Sequence, residues 1–485
     1  MSEKAINTEE VGKEVYENPK KIMASYSMNQ FFGQWITGPF GMYVFIFYEV
    51  QIGLFVGLVA LAFILYSVWN AFNDPLIGYI MSRLHMPWEK KYGKRFPWII
   101  IGAIPWLFTY LLVFMVPFSW DPVNDQWLIF LWLFVSICLY DTLFSLWDVN
   151  VRSMYPDKFR GPGERRAVAG IGTIIGMSGI VASSVVPPLF IRFGVPETFR
   201  LQALVLISVG IVIFFLMIPG IRENDVIRER YQQRLQKSQE ENPEGFFGAA
   251  KGVVTNKRFM LKMLVYFGYQ AGVALLSASA LYMVIFVLDM EAWFLSVLMG
   301  TMLLGAFVSV PLWVKLSHKL DNNKRTCVLA GFAMFVTFLP IFFVNGLLFF
   351  VIALFLFGIG LGGQWFADPP AMADVLDDVA ARTGSRKDEI YYGYQTFFVR
   401  LSLVFQAIVF AVIHTLTGFV EGSINRADLF SKSPTPELAL IGIRMHAALI
   451  PALLVLICTL IFWKYYDLTP DKVAANKVKI QKLNL

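Results

Sequence analysis

Charge is what this chain has least of. Only 16% of its 485 residues are Asp, Glu, Lys or Arg, against roughly 25% in soluble globular proteins. Too few ions are present to clothe a water-facing surface, which excludes an ordinary soluble domain. Cysteine is nearly missing: Cys138, Cys327 and Cys458 are the three present, each within or at the edge of an apolar run. With no CxxC pair and no histidine beside them, they read as buried thiols, and neither a disulfide frame nor a metal site is expected. No Walker loop, HExxH, GxSxG or Cys/His cluster occurs, so neither an enzyme nor a resident cofactor is expected. The first twenty residues are polar and hold no apolar stretch, and no cleavable leader is expected.

What the chain has in abundance is apolar sequence: 57% of residues are hydrophobic and the mean hydropathy is +0.59. Runs of spanning length begin near residues 24, 53, 96, 127, 166, 199, 259, 291, 326, 346, 390 and 438. Each is roughly 20 residues or longer, as crossing a bilayer requires, which predicts an all-α polytopic membrane protein. An even number of crossings puts both termini on one side. That side then holds the great majority of the 41 Lys and Arg, so it is expected to be cytoplasmic. The net charge of +6 sits in short loops between apolar runs and is no footprint for nucleic acid.

The longest polar interruption, residues 222–257, is charged at first and then reads GFFGAAKGVVTNKRF, spaced for lying on a membrane face. The expected organisation is therefore a cytoplasmic segment 1–23, a six-helix half 24–221, the linker 222–257, a second half 258–466 and a cytoplasmic tail 467–485. A short cationic turn after the second run of each half, GKR after Asp74-Pro75 and the stretch Pro311 to Arg325, is an internal echo of the kind rocking transporters are built from.

Several polar residues lie too deep to be loop residues. Asn70, Asn73 and Asp74 sit inside the second run, where a carboxylate costs ~2.5–3.5 kcal/mol even on lenient scales. Asn70 and Asp74 share a helical face, and Pro75 frees a carbonyl one turn back. The result is an oxygen-rich spot able to hold a proton or cation, or else an aspartate that only pairs with a neighbouring helix. In the fourth run Asp141, Ser145, Asp148 and Arg152 fall at i, i+4, i+7 and i+11, one face of a helix. That face either lines the space between the halves or ties the helix to its neighbours by charge. Asp368-Pro369-Pro370 is expected to break the tenth helix at depth. Glu49 and His414 are expected at the membrane interface. Gly170, Gly172, Gly176 and Gly179 in an apolar helix predict close helix packing and no phosphate loop.

The second run also carries a likeness. NDPLIGYI followed by a basic loop ending YGKRFPW resembles the helix II signature of the glycoside–pentoside–hexuronide:cation symporters, the melibiose permeases among them, a branch of the major facilitator superfamily. GLGGQWFADPPAMADVLDDVAARTGSRKDEIYYGYQTFFVR is similar to that family over its tenth and eleventh helices. The resemblance implies twelve transmembrane helices in two six-helix halves, the major facilitator fold. It further implies cation-coupled symport of a glycoside, uronide or related sugar across the plasma membrane by alternating access. It places the coupling ion at Asp74 and Asn70 with Asn73, Ser145, Asp148 and Thr396 around them. Substrate contacts fall on Gln34, Asp148, Arg152, Thr173, Trp365 and Arg400. Gly78, Arg95, Arg165 and Asp374 match the cytoplasmic loop and gating motifs.

The departures from the family pattern are informative. Asn70 stands where the family has a carboxylate, which weakens a sodium site but leaves Asp74 able to carry a proton; coupling therefore tilts toward protons. Gln34 replaces an acid, Arg152 an aromatic and Thr173 an arginine, leaving the pocket more positive and suited to an anionic group. Arg400, in the place of a lysine, stays charged. It either holds Asp74 or Asp148 ionised, binds an anionic substrate, or forms a structural salt bridge. The expected partners are a small-molecule substrate, H+ or Na+ and the lipid bilayer, with no nucleic acid and the chain a monomer. Two other readings stand beside this one: a symporter of a lysophospholipid or other amphiphile, and a non-transporting scaffold or sensor. The retained Asp74, Asp148 and Arg400 speak against the latter.

Overall fold

The computed structural model describes residues 18–482 except 84–85, 160–161, 226, 230–252, 254 and 385–387. The side chains of some helical residues, Asp74, Gly78, Arg165 and Thr396 among them, also lie outside the described set, as does most of the linker 222–257. Among the described residues the secondary structure is entirely helical, with twelve long helices. They are α1 Lys20–Ile46, α2 Val56–Arg83, α3 Phe96–Val113, α4 Gln126–Lys158, α5 Pro162–Val185 and α6 Glu197–Ile221, then α7 Lys257–Tyr282, α8 Phe294–Leu320, α9 Asn323–Phe342, α10 Leu347–Thr383, α11 Asp388–Thr417 and α12 Pro436–Tyr465.

Ten of these, α3 to α12, carry spans both long and apolar enough to cross a membrane. The other two, α1 and α2, have spanning length, 27 and 28 residues. They carry several amide side chains, Asn29, Gln30 and Gln34 on α1 and Asn70 and Asn73 on α2. The twelve crossings read from the sequence are thus matched by helix length throughout, and by apolarity as well in ten.

Helix starts follow from local chemistry. The Asn256 side chain accepts from the Arg258 and Phe259 amides, and that of Asn322 from the Arg325 amide at 3.0 Å, capping α7 and α9. One expectation fails here. α10 is not broken at Asp368-Pro369-Pro370 but runs on as one helix with both prolines inside it. Each proline removes a backbone donor, yet the packing of α8 and α9 holds the helix on course. A Cβ on Gly358 would run into the Met302 carbonyl of α8, one on Gly362 into Ala306, and one on Gly360 into Met334 of α9.

The pairings repeat. α1 packs on α5 and α6, α2 on α4, and α3 on α4 and α6; likewise α7 packs on α11 and α12, α8 on α10, and α9 on α10 and α12. Across the seam α1 meets α7, α2 meets α11, and α5 meets α8. The glycine-rich α5 packs as its sequence predicts. A Cβ at Gly179 would lie 2.8 Å from the Phe31 backbone of α1, and one at Gly176 3.3 Å from Gln30, whereas Gly170 faces open space. The start of α1 and the end of α12 lie at one face of the bundle, here the terminal face; the opposite one is the distal face.

Candidate functional site

The polar residues of α2 and α4 meet in the interior. Asn70, Asn73, Asp141 and Ser145 are each no more than 3% exposed. Tyr66 donates its hydroxyl to Asp141 Oδ1 at 3.1 Å, and Asn73 donates to Asp141 Oδ2 at 3.3 Å. Asn70 abuts this group beside the Tyr66 hydroxyl; among the described residues neither of its side-chain atoms has a hydrogen bond of good geometry, which is the kind of buried polar group that marks a ligand position or a functional strain. Arg400 on α11 lies within electrostatic reach of Tyr66, across the α2–α11 seam. Asp74 and Thr396 belong to those same two packed helices. Asp141, prominent in the sequence stripe, is thus a member of the cluster around Asn70.

One turn further along α4 the stripe opens into a cavity of about 520 Å³ between α1, α4 and α5. Gln34, Arg152 and Thr173 all line it, with Asn29, Gln30 and Tyr155. Arg152 donates from Nε to the Asp148 carboxylate at 2.8 Å, the arginine side chain 67% exposed and the aspartate 22%. Three of the expected substrate contacts therefore share one wall. An apolar pocket of about 560 Å³ lies alongside and shares Met177 with the cavity; Val181 and Val185 of α5 and Phe307 of α8 line it. Trp365 stands beside that pocket, its ring 6.5 Å from Phe307.

The α7–α11 side holds a charge pair that sequence reading did not find. Lys262, 1% exposed, is ion-paired with Asp368 of α10, whose other oxygen accepts from Gln395 at 3.2 Å. Tyr266, one turn from Lys262, lies within electrostatic reach of Asp368 and of Arg152. The available signal was a lysine several residues inside the seventh apolar run, together with Asp368 in the tenth.

Glu49 and His414, expected at the membrane interface, do not meet solvent: both are fully buried at the distal seam. Glu49 accepts from the Tyr282 hydroxyl through one oxygen and bonds His414 Nδ1 through the other. His414 in turn meets His446, which bonds Ser279. Three of these residues, Glu49, His414 and Tyr282, bring α1 together with α7 and α11.

At the terminal face two of the residues expected in gating lie among polar contacts. Asp374 accepts from Asn323 at 2.7 Å, and the Arg95 amide donates to Glu223 at 3.1 Å. Arg258 bridges Asp378 and Asp467. Its hydrogen bonds, with help from Lys472, hold the Asp467 carboxyl well below the usual carboxylate range. Lys158 donates to the Arg222 carbonyl at 2.9 Å, and burial pushes its ammonium down to about 8. Gly78 and Arg165 lie on α2 and α5, their side chains outside the described set.

A bundle of membrane-length helices, with a polar cavity and buried charges on the helices that meet across one seam, is the build of a membrane transporter. The chain belongs to the MFS/sugar transport protein family, whose pattern matches residues 26–469. It is 22% identical to sodium-dependent lysophosphatidylcholine symporter 1 of Mus musculus over 450 residues, 86% of this chain and 79% of that one. It is 22% identical to the glucuronide carrier protein homolog of Escherichia coli (strain K12), covering 95% of each chain. An isoprimeverose transporter of Lactiplantibacillus pentosus is 25% identical over 41% of each. The crystal structure of a peptide transporter of the POT type shares the fold with a TM-score of 0.57 at 15% identity, covering 94% of this chain and 98% of that one.

Proposed function

We propose that the chain is a proton-driven symporter of a small anionic glycoside, such as a uronide or sulfosugar, working by alternating access. Residues 24–221 and 258–466 serve as the two rocking halves, 222–257 joins them, and both termini are cytoplasmic in the plasma membrane of a monomeric carrier. The family is one of sugar transport proteins, and relatives of this chain named as sodium-dependent or other symporters support coupling to a cation. The observation that carries the finer reading is the 520 Å³ cavity in which Gln34, Arg152 and Thr173 meet. Its volume falls in the usual range of small-molecule sites. A largely exposed guanidinium in its wall suits bidentate binding of a carboxylate, sulfonate or phosphate. Asn70 beside Asp141, in place of a second carboxylate next to Asp74, favours a proton over sodium as the coupled ion.

The apolar pocket that shares Met177 with the cavity favours a second reading, an amphiphile whose chain lies in that pocket and whose head meets Arg152. A thermal-shift screen of the purified protein against sugars, uronides, sulfosugars and lysolipids at two pH values separates the two. Stabilisation by uronides or sulfosugars, greater at the lower pH, supports the first. Stabilisation by lysolipids alone moves the assignment to the second, and a neutral glycoside binding equally well to Arg152→Ala overturns the anionic reading.

A further inference from the structure

The buried chain at the distal seam has no part in the cavity, and its proton count is constrained by its geometry. Its links are Tyr282 to Glu49 Oε2, Glu49 Oε1 to His414 Nδ1, His414 Nε2 to His446 Nε2 at 3.1 Å, and His446 Nδ1 to Ser279 Oγ at 2.6 Å. Ser279 Oγ is also 2.5 Å from the Leu275 carbonyl. All five residues of the chain are sealed from solvent, walled by the rings of Phe410 and Phe419. The remaining charged groups near it are Glu421, whose carboxylate accepts from the Val56 amide at 3.2 Å, and Arg444, which donates away to Asn345. Among the described residues no lysine or arginine pairs with Glu49.

One proton must lie between the two Nε2 atoms, because two would repel and none would leave facing lone pairs. With the Ser279 hydroxyl turned to Leu275, His446 donates to Ser279 and His414 donates to His446. The Glu49–His414 link then needs one further proton, held as a neutral acid with neutral imidazole or as carboxylate with imidazolium. With the Ser279 hydroxyl turned to His446, the links from Ser279 through both histidines to Glu49 reverse, Tyr282 still donates to Glu49, and that proton is absent. Glu49 is then a buried carboxylate that accepts from Tyr282 and His414 but has no cation beside it, which burial disfavours.

We propose that this chain is a proton-binding site of the distal seam: the closed seam holds one proton, and parting the halves releases it. The links that break on parting are those from Glu49 of α1 to Tyr282 and His414, with the Gly422 amide to Glu49 carbonyl bond, 3.0 Å, and the Val56–Glu421 bond beside them. In water a glutamate and a histidine keep no shared proton above roughly pH 6.5. Above that pH closure takes up one proton, so acidification favours the closed seam. The site is separate from Asp74 and does not depend on which solute is carried.

The test places nitroxide pairs at Val123 and Leu348, exposed distal positions in different halves, with the buried native cysteines replaced by alanine. Distances are measured by pulsed EPR on the purified full chain without solute. In the otherwise unaltered chain the ratio of open to closed distances should rise about tenfold per pH unit above pH ~6.5, as one linked proton requires. Glu49→Gln, which keeps the hydrogen-bonding shape without the titration, should remove the slope, and Asp74→Asn should keep it. A pH-independent ratio in the unaltered chain, an unchanged slope in Glu49→Gln, or a slope lost in Asp74→Asn would each overturn the proposal. The last outcome would place the proton at Asp74 and leave the proposed coupling intact.

Discussion

Breaking the Lys262–Asp368 pair should cost unequal amounts from its two ends. Removing one partner of a buried ion pair typically costs ~3–5 kcal/mol, because it strands the other charge. Asp368→Asn strands an ammonium that is 1% exposed and has the Tyr266 ring 5.6 Å away. Lys262→Met strands a carboxylate that is 13% exposed and still accepts from Gln395, and a hydrogen bond to a charged group is worth about 1.5–3 kcal/mol. The first substitution should therefore fall near ~5 kcal/mol and the second near ~3 or below. The double variant leaves no stranded charge and should cost less than either. At ~2.1 cal/mol/K per residue, a chain of 485 residues moves about 1 °C per kcal/mol. Fluorescence-monitored unfolding in detergent should then show losses of ~5 °C and ~3 °C, partly recovered in the double variant. Losses that simply add in the double variant would refute the claim that the two charges are held by each other.

Arg152→Ala should weaken a uronate or sulfosugar by orders of magnitude in a binding titration, on ~3–5 kcal/mol for a lost charged partner, while Arg152→Lys recovers only part. Asp74→Asn should abolish gradient-driven accumulation in vesicles and spare counterflow exchange; uptake that needs sodium and ignores a protonophore would contradict proton coupling. Asp467 is held ionised by Arg258, so its clasp on the helix Pro470–Lys482 is present in full above the ordinary carboxylate value of about pH 4 and is lost as pH falls from there through its depressed folded value. Asp467→Asn should expose the tail to limited proteolysis at neutral pH, where the unaltered chain resists.

Hydropathy made the helices legible because a bilayer demands length and apolarity at once, and ten of the twelve helices meet both. Gln34, Arg152 and Thr173, far apart in sequence, were expected as substrate contacts through the family likeness, and all three line one cavity. Lys262 escaped notice because a single base near the start of an apolar run reads as an anchor at the membrane surface; its partner is 106 residues away. Glu49, His414 and His446 were misread or missed for a different reason. Glu49 and His446 lie in π-helical turns, Phe47–Ile52 and Met445–Leu449. Such a turn admits one extra residue and rotates everything beyond it to another face. A helical wheel of period 3.6 therefore points both side chains the wrong way, and the 365 residues between Glu49 and His414 hide the pairing from any local pattern.

The two prolines of α10 leave a mechanical signature in a helix that is otherwise continuous. With Pro369 and Pro370 lacking N–H groups, the carbonyls of Trp365 and Phe366 have no donor one turn ahead, so two consecutive rungs of the ladder are missing. Above the gap, Gly358 and Gly362 lock the helix backbone-to-backbone onto α8. Below it, Asp374 and Asp378 fasten the helix to Asn323 and Arg258 at the terminal face. α10 is a stiff rod clamped at both ends with its one compliant joint at the height of Asp368, so any bending that terminal-face movement imposes on it is concentrated where Lys262 grips.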